Sequence, residues 1–249
     1  MLRGLYTAAS ALLADQTWQN VIGNNLDNLS TPGFKADQPV IGEFQSQLLT
    51  RLGSASVAPI GALGGGSGVA ETVADLSAGP LQATGRALDV APAGGAWLTV
   101  RTPQGVRYTQ DGALSLSSTG EIVTSAGDPV LGSGGRPITV PAGAALSIAA
   151  DGTVSADGAA VGRLLLTSFA RPALLQAQGA GLFQAPAGAG ARAFAPGTGV
   201  LAGYLEGSNV NASAVTTQLI QVQNDFQANQ TALTAADQTF GQLLQDLGK

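Results

Sequence analysis

The sequence predicts an α+β protein: N- and C-terminal helices pairing as a coiled-coil-like bundle, with a central all-β domain inserted between them. Three observations carry that expectation. Apolar residues recur at alternating steps of three and four near both ends of the 249-residue chain. The middle breaks into short apolar alternations separated by turn dipeptides. A Gly-rich stretch, "GALGGGSG", lies between the first helical texture and the β texture.

The N-terminal seam runs through Leu5, Ala8, Leu12, Asp15, Gln19, Ile22, Leu26 and Leu29, which predicts a helix over about residues 2–29. Six of these eight positions are apolar, and the two polar ones are adjacent. Pro32 is expected to end the helix, because its ring disfavours helical geometry at the residue before it, and Gly33 then allows a free turn. The opening "MLRGLYTAASALLAD" superficially resembles a secretory signal. Its apolar run is too short, however, and the helical pattern continues past Asp15, so it reads as mature structure.

Residues 36–78 are expected to form an extended Gly-rich connector, and residues 79–207 the β domain. In the latter, "AWLTVRTPQGVRYTQDGALSLSSTGEIVTSAGDPVLG" and "LSIAADGTVSADGAAVGRLLLTSFA" alternate strand-length segments with Asp111-Gly112, Asp151-Gly152 and Asp157-Gly158, dipeptides of the hairpin type. Residues 1–35 and 208–249 together make the expected helical packing domain.

The C-terminal seam is the cleanest pattern: Val215, Leu219, Val222, Phe226, Asn229, Leu233, Ala236, Phe240, Leu243 and Leu247, with only Asn229 polar. It predicts a helix of roughly 35 residues, on the order of 50 Å long, that needs a partner. Ser208, Asn209, Asn211 and Ser213 are all competent to cap its start. Asn229 has two readings, a buried residue that fixes register or an exposed one in a frayed section. From residue 208 to 248 there are eight Gln and four Asn against three acidic residues, Asp225, Asp237 and Asp246, and no basic one. Solvated helix faces usually carry Lys and Glu, whereas neutral amides pack against another helix at low cost when hydrogen-bonded. That composition favours helix packing on several sides over a plain solvated face.

Composition argues against an enzyme. The chain has no His and no Cys, so the usual metal ligands, the near-neutral general base and the thiol nucleophile are missing. No phosphate-binding loop, nucleophile elbow or calcium loop occurs, and Asp151 and Asp157 each precede Gly, where turn chemistry explains them. No cofactor or metal is expected. A net charge of −5 gives no electrostatic reason to bind nucleic acid or an anionic membrane. No run of about 18 apolar residues exists to enter a bilayer.

The segments "MLRGLYTAASALLADQ" and "NNLDNLSTPGFKAD" resemble the N-terminal signature of the flagellar axial proteins, the rod and hook-basal-body group, and "LEGSNVNASAVTTQLIQVQNDFQANQTALTAADQ" is similar to their C-terminal signature. The intervening "LQATGRALDVA", "YTQDGALSLSSTGEIVTSAGDPVLG" and "PITVP" resemble the central β segments. By position, Asn24, Asn25, Asn28, Thr31, Pro32, Gly33 and Phe34 match the first motif, and Glu206, Ser208, Asn209, Val210 and Asn211 the second. The chain departs from the group at "PAGGAWLTV", where a glycine–acidic–glycine–aromatic cluster is usual, and in a C-terminal helix whose aromatics are thinned to Phe226 and Phe240. Its length fits a rod protein better than the longer hook subunit.

The resemblance implies a structural subunit of the basal-body rod that assembles through its terminal helices into the axial tube that transmits torque. It implies other rod and hook subunits and the flagellar export apparatus as partners. It also implies a place in the basal body within the cell envelope, export without a cleaved signal, and a monomer when isolated. From the residues alone a surface adhesive β protein oligomerised by a terminal coiled coil remains the alternative. A trimeric stalk needs one helical segment per chain, while a tube subunit uses both ends.

Overall fold

The computed structural model describes residues 2–43, 47–52, 57–63, 67–194 and 199–247. The chain divides into two compact units, one made of Met1–Asp27, Asp37–Val73 and Asn211–Lys249, the other of Asn28–Ala36 and Ala74–Val210. The architecture is α+β, with a β-rich region inserted between an N-terminal and a C-terminal helix.

In the first unit, helix α1 spans Leu2–Asp27 and α2 spans Ala212–Leu247, 26 and 36 residues. α2 begins where one of the four candidate caps acts. Asn211 Oδ1 accepts the Ala214 N–H at 3.1 Å, while the Asn211 carbonyl takes the first helical bond from Val215. Such a cap satisfies a donor that the first turn would otherwise leave bare.

α1 stops at Asp27, short of the expected end near residue 29, and Pro32 is not what stops it. Asn28–Ser30 already form a turn, so Leu29 lies outside the helix. The expected seam position Leu26 is 38% exposed, and Asn25 is buried in its place. An α-helix repeats every 3.6 residues, so a strict heptad drifts, and either position can turn inward after Ile22. Asn25 prevails because both ends of its amide are satisfied there: Nδ2 donates to the Asp37 carbonyl at 2.8 Å and Oδ1 accepts the Asp37 N–H at 2.8 Å.

The stretch expected as a connector contains four strands. Asp37–Glu43 pairs with Ser67–Ala74, and Gln47–Leu52 pairs antiparallel with Val57–Leu63. The second pairing slips register between Leu49 and Thr50, and Thr50 faces Pro59. A proline there has no N–H to give to the ladder, which suits a bulge.

The second unit is organised on a six-stranded antiparallel sheet in the order Gln176–Ala177, Leu182–Gln184, Gly105–Thr109, Trp97–Thr102, Leu166–Phe169 and Ala191–Ala193. Alternation along Trp97–Thr102 separates its two faces. Leu98 and Val100 enter an aliphatic core with Leu114, Ile122, Val130, Val154, Leu164 and Val200. Trp97 turns to the other face and meets Phe169 and Phe183 edge-on, at 6.1 and 5.0 Å between ring centroids.

A three-stranded sheet, Leu146–Ile148, Thr153–Ala156 and Ala159–Arg163, completes the unit's larger pairings. Asp157-Gly158 makes its two-residue hairpin with both φ positive, 50° and 83°, as that turn type requires. Asp111-Gly112 does not make a hairpin. It lies in a loop where the Gly112 carbonyl accepts the Val90 N–H and Asp111 Oδ1 accepts the Ala113 N–H.

Candidate functional site

Two arrangements gather the residues singled out by sequence, one in each unit. The first is the helix pair. From Ala212 to Gln242, Val215, Leu219, Val222, Phe226, Asn229, Leu233, Ala236 and Phe240 are buried or half-buried, and every other residue is exposed. α1 is their partner: Leu12 is half-buried in it and Ile22 is fully buried, as is Val222 on α2. Burying such aliphatic side chains is worth roughly 1.5–3 kcal/mol each. The side chains of Leu5 and Leu243 lie outside the described residues.

The seam's polar positions meet one another. Asn229 Nδ2 donates to Asp15 Oδ2 at 2.8 Å, and Asn229 is half-buried, as the register-fixing reading requires. A shift of one helix along the other by a heptad would place both groups against apolar neighbours, so the bond favours one register.

The second arrangement is a buried clasp within the β-rich unit, and it holds most of the motif residues. Three chain segments, about Thr31–Ala36, Asp75–Pro80 and Tyr204–Asn209, are tied together there. Lys35 Nζ donates to Glu206 Oε1 at 2.7 Å and to the Ser77 carbonyl at 2.8 Å, with side-chain exposures of 1% for the lysine and 4% for the glutamate. The same Glu206 oxygen accepts the Gly79 N–H at 2.8 Å.

Asn209 makes a parallel set of ties. Its Oδ1 accepts the Ala36 N–H at 2.7 Å, and its Nδ2 donates to the Asp75 carbonyl at 2.8 Å and to Ser77. Backbone bonds from Gly33 to Glu206, Asp75 to Ala36 and Gly207 to Pro80 close the clasp. Buried polar groups require this degree of satisfaction, since each unpaired one costs about 1–3 kcal/mol.

Gly33 is a packed joint, in contrast to the free turn expected from sequence. Its φ is +67°, and a Cβ there would stand 2.5 Å from the Asp111 nitrogen and the Gln110 carbonyl carbon. Around it, Thr31 Oγ1 donates to Asn28 Oδ1 at 3.0 Å, the Phe34 N–H reaches the Thr31 carbonyl, and Phe34 and Pro32 are half-buried. Ser208 is buried and accepts the Val210 N–H. Asn24 is exposed on α1.

Lys35, Asp75, Ser77 and Gly79 were not singled out by sequence. One signal was available: Lys35 and Lys249 are the only lysines in the sequence, and Lys35 stands in "PGFKAD" as Glu206 does in "LEGSN". A compact ammonium with three donors suits a site that offers a carboxylate and a carbonyl in different directions.

Two acids elsewhere in the β-rich unit titrate abnormally. Burial pushes the Asp111 carboxyl up, partly offset by hydrogen bonds from Ala113 and Ser125, with the nearby Asp89 charge adding to the rise. Hydrogen bonds from Thr153 hold Asp151 below the usual carboxylate range. Among the described residues no group of three or more His, Cys, Asp or Glu is placed to hold a metal ion, and no helix is long and apolar enough to cross a membrane.

Three families of known proteins match successive stretches of the sequence. Residues 5–35, which take in most of α1 and of the first clasp segment, match the family described as flagella basal body rod protein. Residues 91–156 match the flagellar hook protein FlgE/F/G D1 domain, and residues 201–246, with the third clasp segment and α2, match the flagellar basal body rod FlgEFG protein C-terminal family. A terminal helix pair with a β unit inserted between its halves, carrying all three signatures, defines an axial protein of the flagellar hook and rod class.

Whole-chain similarity narrows the class. The chain is 35% identical to the flagellar basal-body rod protein FlgG of Bacillus subtilis, over 98% of each chain. It is 34% identical to the rod protein FlgF of Escherichia coli, over 97% of this chain and 96% of that one, and 31% identical to FlgG of a Buchnera aphidicola strain, over 98% and 100%. The chain belongs to the flagellar basal-body rod protein family, a family of structural proteins.

Proposed function

We propose that this chain is a structural subunit of the flagellar basal-body rod that assembles with copies of itself and with other axial subunits through its terminal helices, forming part of the tube that carries motor torque. The observation that carries the reading is the surface of the helix pair. α2 buries only its seam and exposes every other position from Ala212 to Gln242, a surface mainly of Gln, Asn, Thr and Ala that carries Asp225 and Asp237 and no basic residue. Large apolar side chains also point away from the pair: Tyr6 and Leu13, one heptad apart on α1, are 73% and 67% exposed, and Ile220 on α2 is exposed as well.

Neutral amides and isolated apolar groups pack against a neighbouring helix at low desolvation cost. A helix of this length spans about 54 Å and resists bending along its axis, which suits a load-bearing part. The same reading places the protein in the basal body, within the cell envelope, and takes it there through the flagellar export apparatus without a cleaved signal. Deleting the gene in the parent organism tests it. Swimming should be lost and isolated basal bodies should lack complete rods, with both restored by the intact chain. Normal swimming with intact hooks would overturn the reading.

A further inference from the structure

The formal charge of the chain is divided unequally between its units. The β-rich unit carries eight acidic and eight basic residues and is neutral, while the helical unit carries eight acidic residues against Arg3, Arg51 and Lys249 and so holds the whole −5. α2 is the extreme case. Its charged side chains are Asp225, Asp237 and Asp246, with no Lys or Arg across its length. Asp225 and Asp237 are exposed at non-seam positions, among the amides that the assembly reading assigns to contacts between copies.

A second copy brings charge of the same sign. α2 offers it no counter-charge, and α1 has only Arg3 as a basic residue, against Asp15 and Asp27. Like charges brought together in this way disfavour association. The repulsion reaches about 30 Å at 0.01 M ionic strength and about 8 Å at 0.15 M.

Resting on the assembly reading above, we propose that association of copies through the helical unit is held off by like charge and released by ionic screening. In dilute salt the chain stays apart from its copies, and added salt strengthens the contact. This is the opposite of an assembly held by salt bridges between subunits, which salt weakens. The amide and apolar contacts that join the copies depend little on screening, so the charge sets when they form.

Sedimentation velocity on the full chain in 10 mM and 300 mM NaCl tests this, alongside the double variant Asp225→Asn/Asp237→Asn. The expected result is an association constant about tenfold or more higher at the higher salt, with the variant associating in 10 mM NaCl as the natural chain does in 300 mM. The variant's salt dependence should be correspondingly flattened, which separates screening from general salting-out of apolar groups. Association that is unchanged or weakened by salt, or a variant that behaves as the natural chain does, overturns the inference and leaves assembly standing. No association at any salt concentration overturns this inference, while the assembly reading is decided separately by the deletion strain and its basal bodies.

Discussion

Replacing Lys35 with Met tests the clasp most sharply. The substitution keeps an unbranched side chain of similar length and removes the ammonium, so Glu206 loses its counter-charge while both side chains remain almost wholly out of water. Of its recorded donors only the Gly79 N–H remains on Oε1. Removing one partner of a buried ion pair costs about 3–5 kcal/mol, a large share of the roughly 5–15 kcal/mol by which a domain is stable. At about 2–4 °C per kcal/mol for a unit of this size, the melting temperature should fall by roughly 6–20 °C.

The two tryptophans allow each unit to be followed separately, since Trp18 lies in the helical unit and Trp97 in the β-rich one. Thermal unfolding of a Trp18→Phe background, read by Trp97 fluorescence, reports the unit that holds the clasp. Adding Glu206→Gln to Lys35→Met removes the stranded charge but keeps an oxygen for Gly79, and should return the protein to within about 1–2 kcal/mol of the starting chain. A Lys35→Met loss below about 2 °C, or a double variant no better than the single one, would show that the pair is not the buried cross-link described above.

Gly33→Ala should destabilise the same unit by at least about 1–3 kcal/mol, because it forces a side chain into left-handed backbone against Gln110 and Asp111; urea unfolding followed by Trp97 reads the loss. Asn229→Leu should cost about 1–3 kcal/mol by stranding the half-buried Asp15 carboxylate, whereas Asp15→Leu/Asn229→Leu should equal or exceed the natural chain in stability, as judged by helical circular dichroism in urea. Asp111→Asn keeps the oxygen that accepts from Ala113 and removes a charge that burial disfavours. The folded-state pKa of Asp111 is raised, so its contribution favours folding at low pH and is lost as pH rises from the ordinary aspartate value through the raised one. The variant should therefore unfold at higher urea than the natural chain at neutral pH, with the gap closing in acid.

The helix pair was legible because its packing is written in spacing. The seam from Val215 to Phe240 coincides with the buried positions of α2, residue for residue. α1 was legible until Ile22, after which inward-facing position depends on whether a polar side chain finds partners. Asn25 finds them twelve residues away at Asp37, and no local pattern announces it. The clasp was harder still, for Lys35 and Glu206 stand 171 residues apart and neither belongs to a repeat.

Turn chemistry was read from dipeptides, and its outcome depended on the flanking strands. Asp157-Gly158 joins two strands that pair with each other, while Asp111-Gly112 joins strands that pair elsewhere. The stretch from residue 36 to 78 was read as a connector from its small residues, yet a backbone ladder needs no large side chains, and strands form there. Pro32-Gly33 was read as a helix stop, but the helix has already ended, and the pair serves the clasp.

The central claim, that the outward faces of the terminal helices join one copy to the next, is open to direct measurement because the chain has no cysteine of its own. Single substitutions Gln16→Cys and Asn20→Cys on α1, and Gln223→Cys and Gln230→Cys on α2, all fall at exposed positions. Expressed singly and in α1–α2 pairs in the deletion strain, and treated with a short bismaleimide in isolated basal bodies, they should yield dimers from the single variants and longer ladders from the pairs, with the soluble chain giving monomer in dilute salt. Monomer alone from every one of these positions, in basal bodies whose rods are intact, would contradict the account.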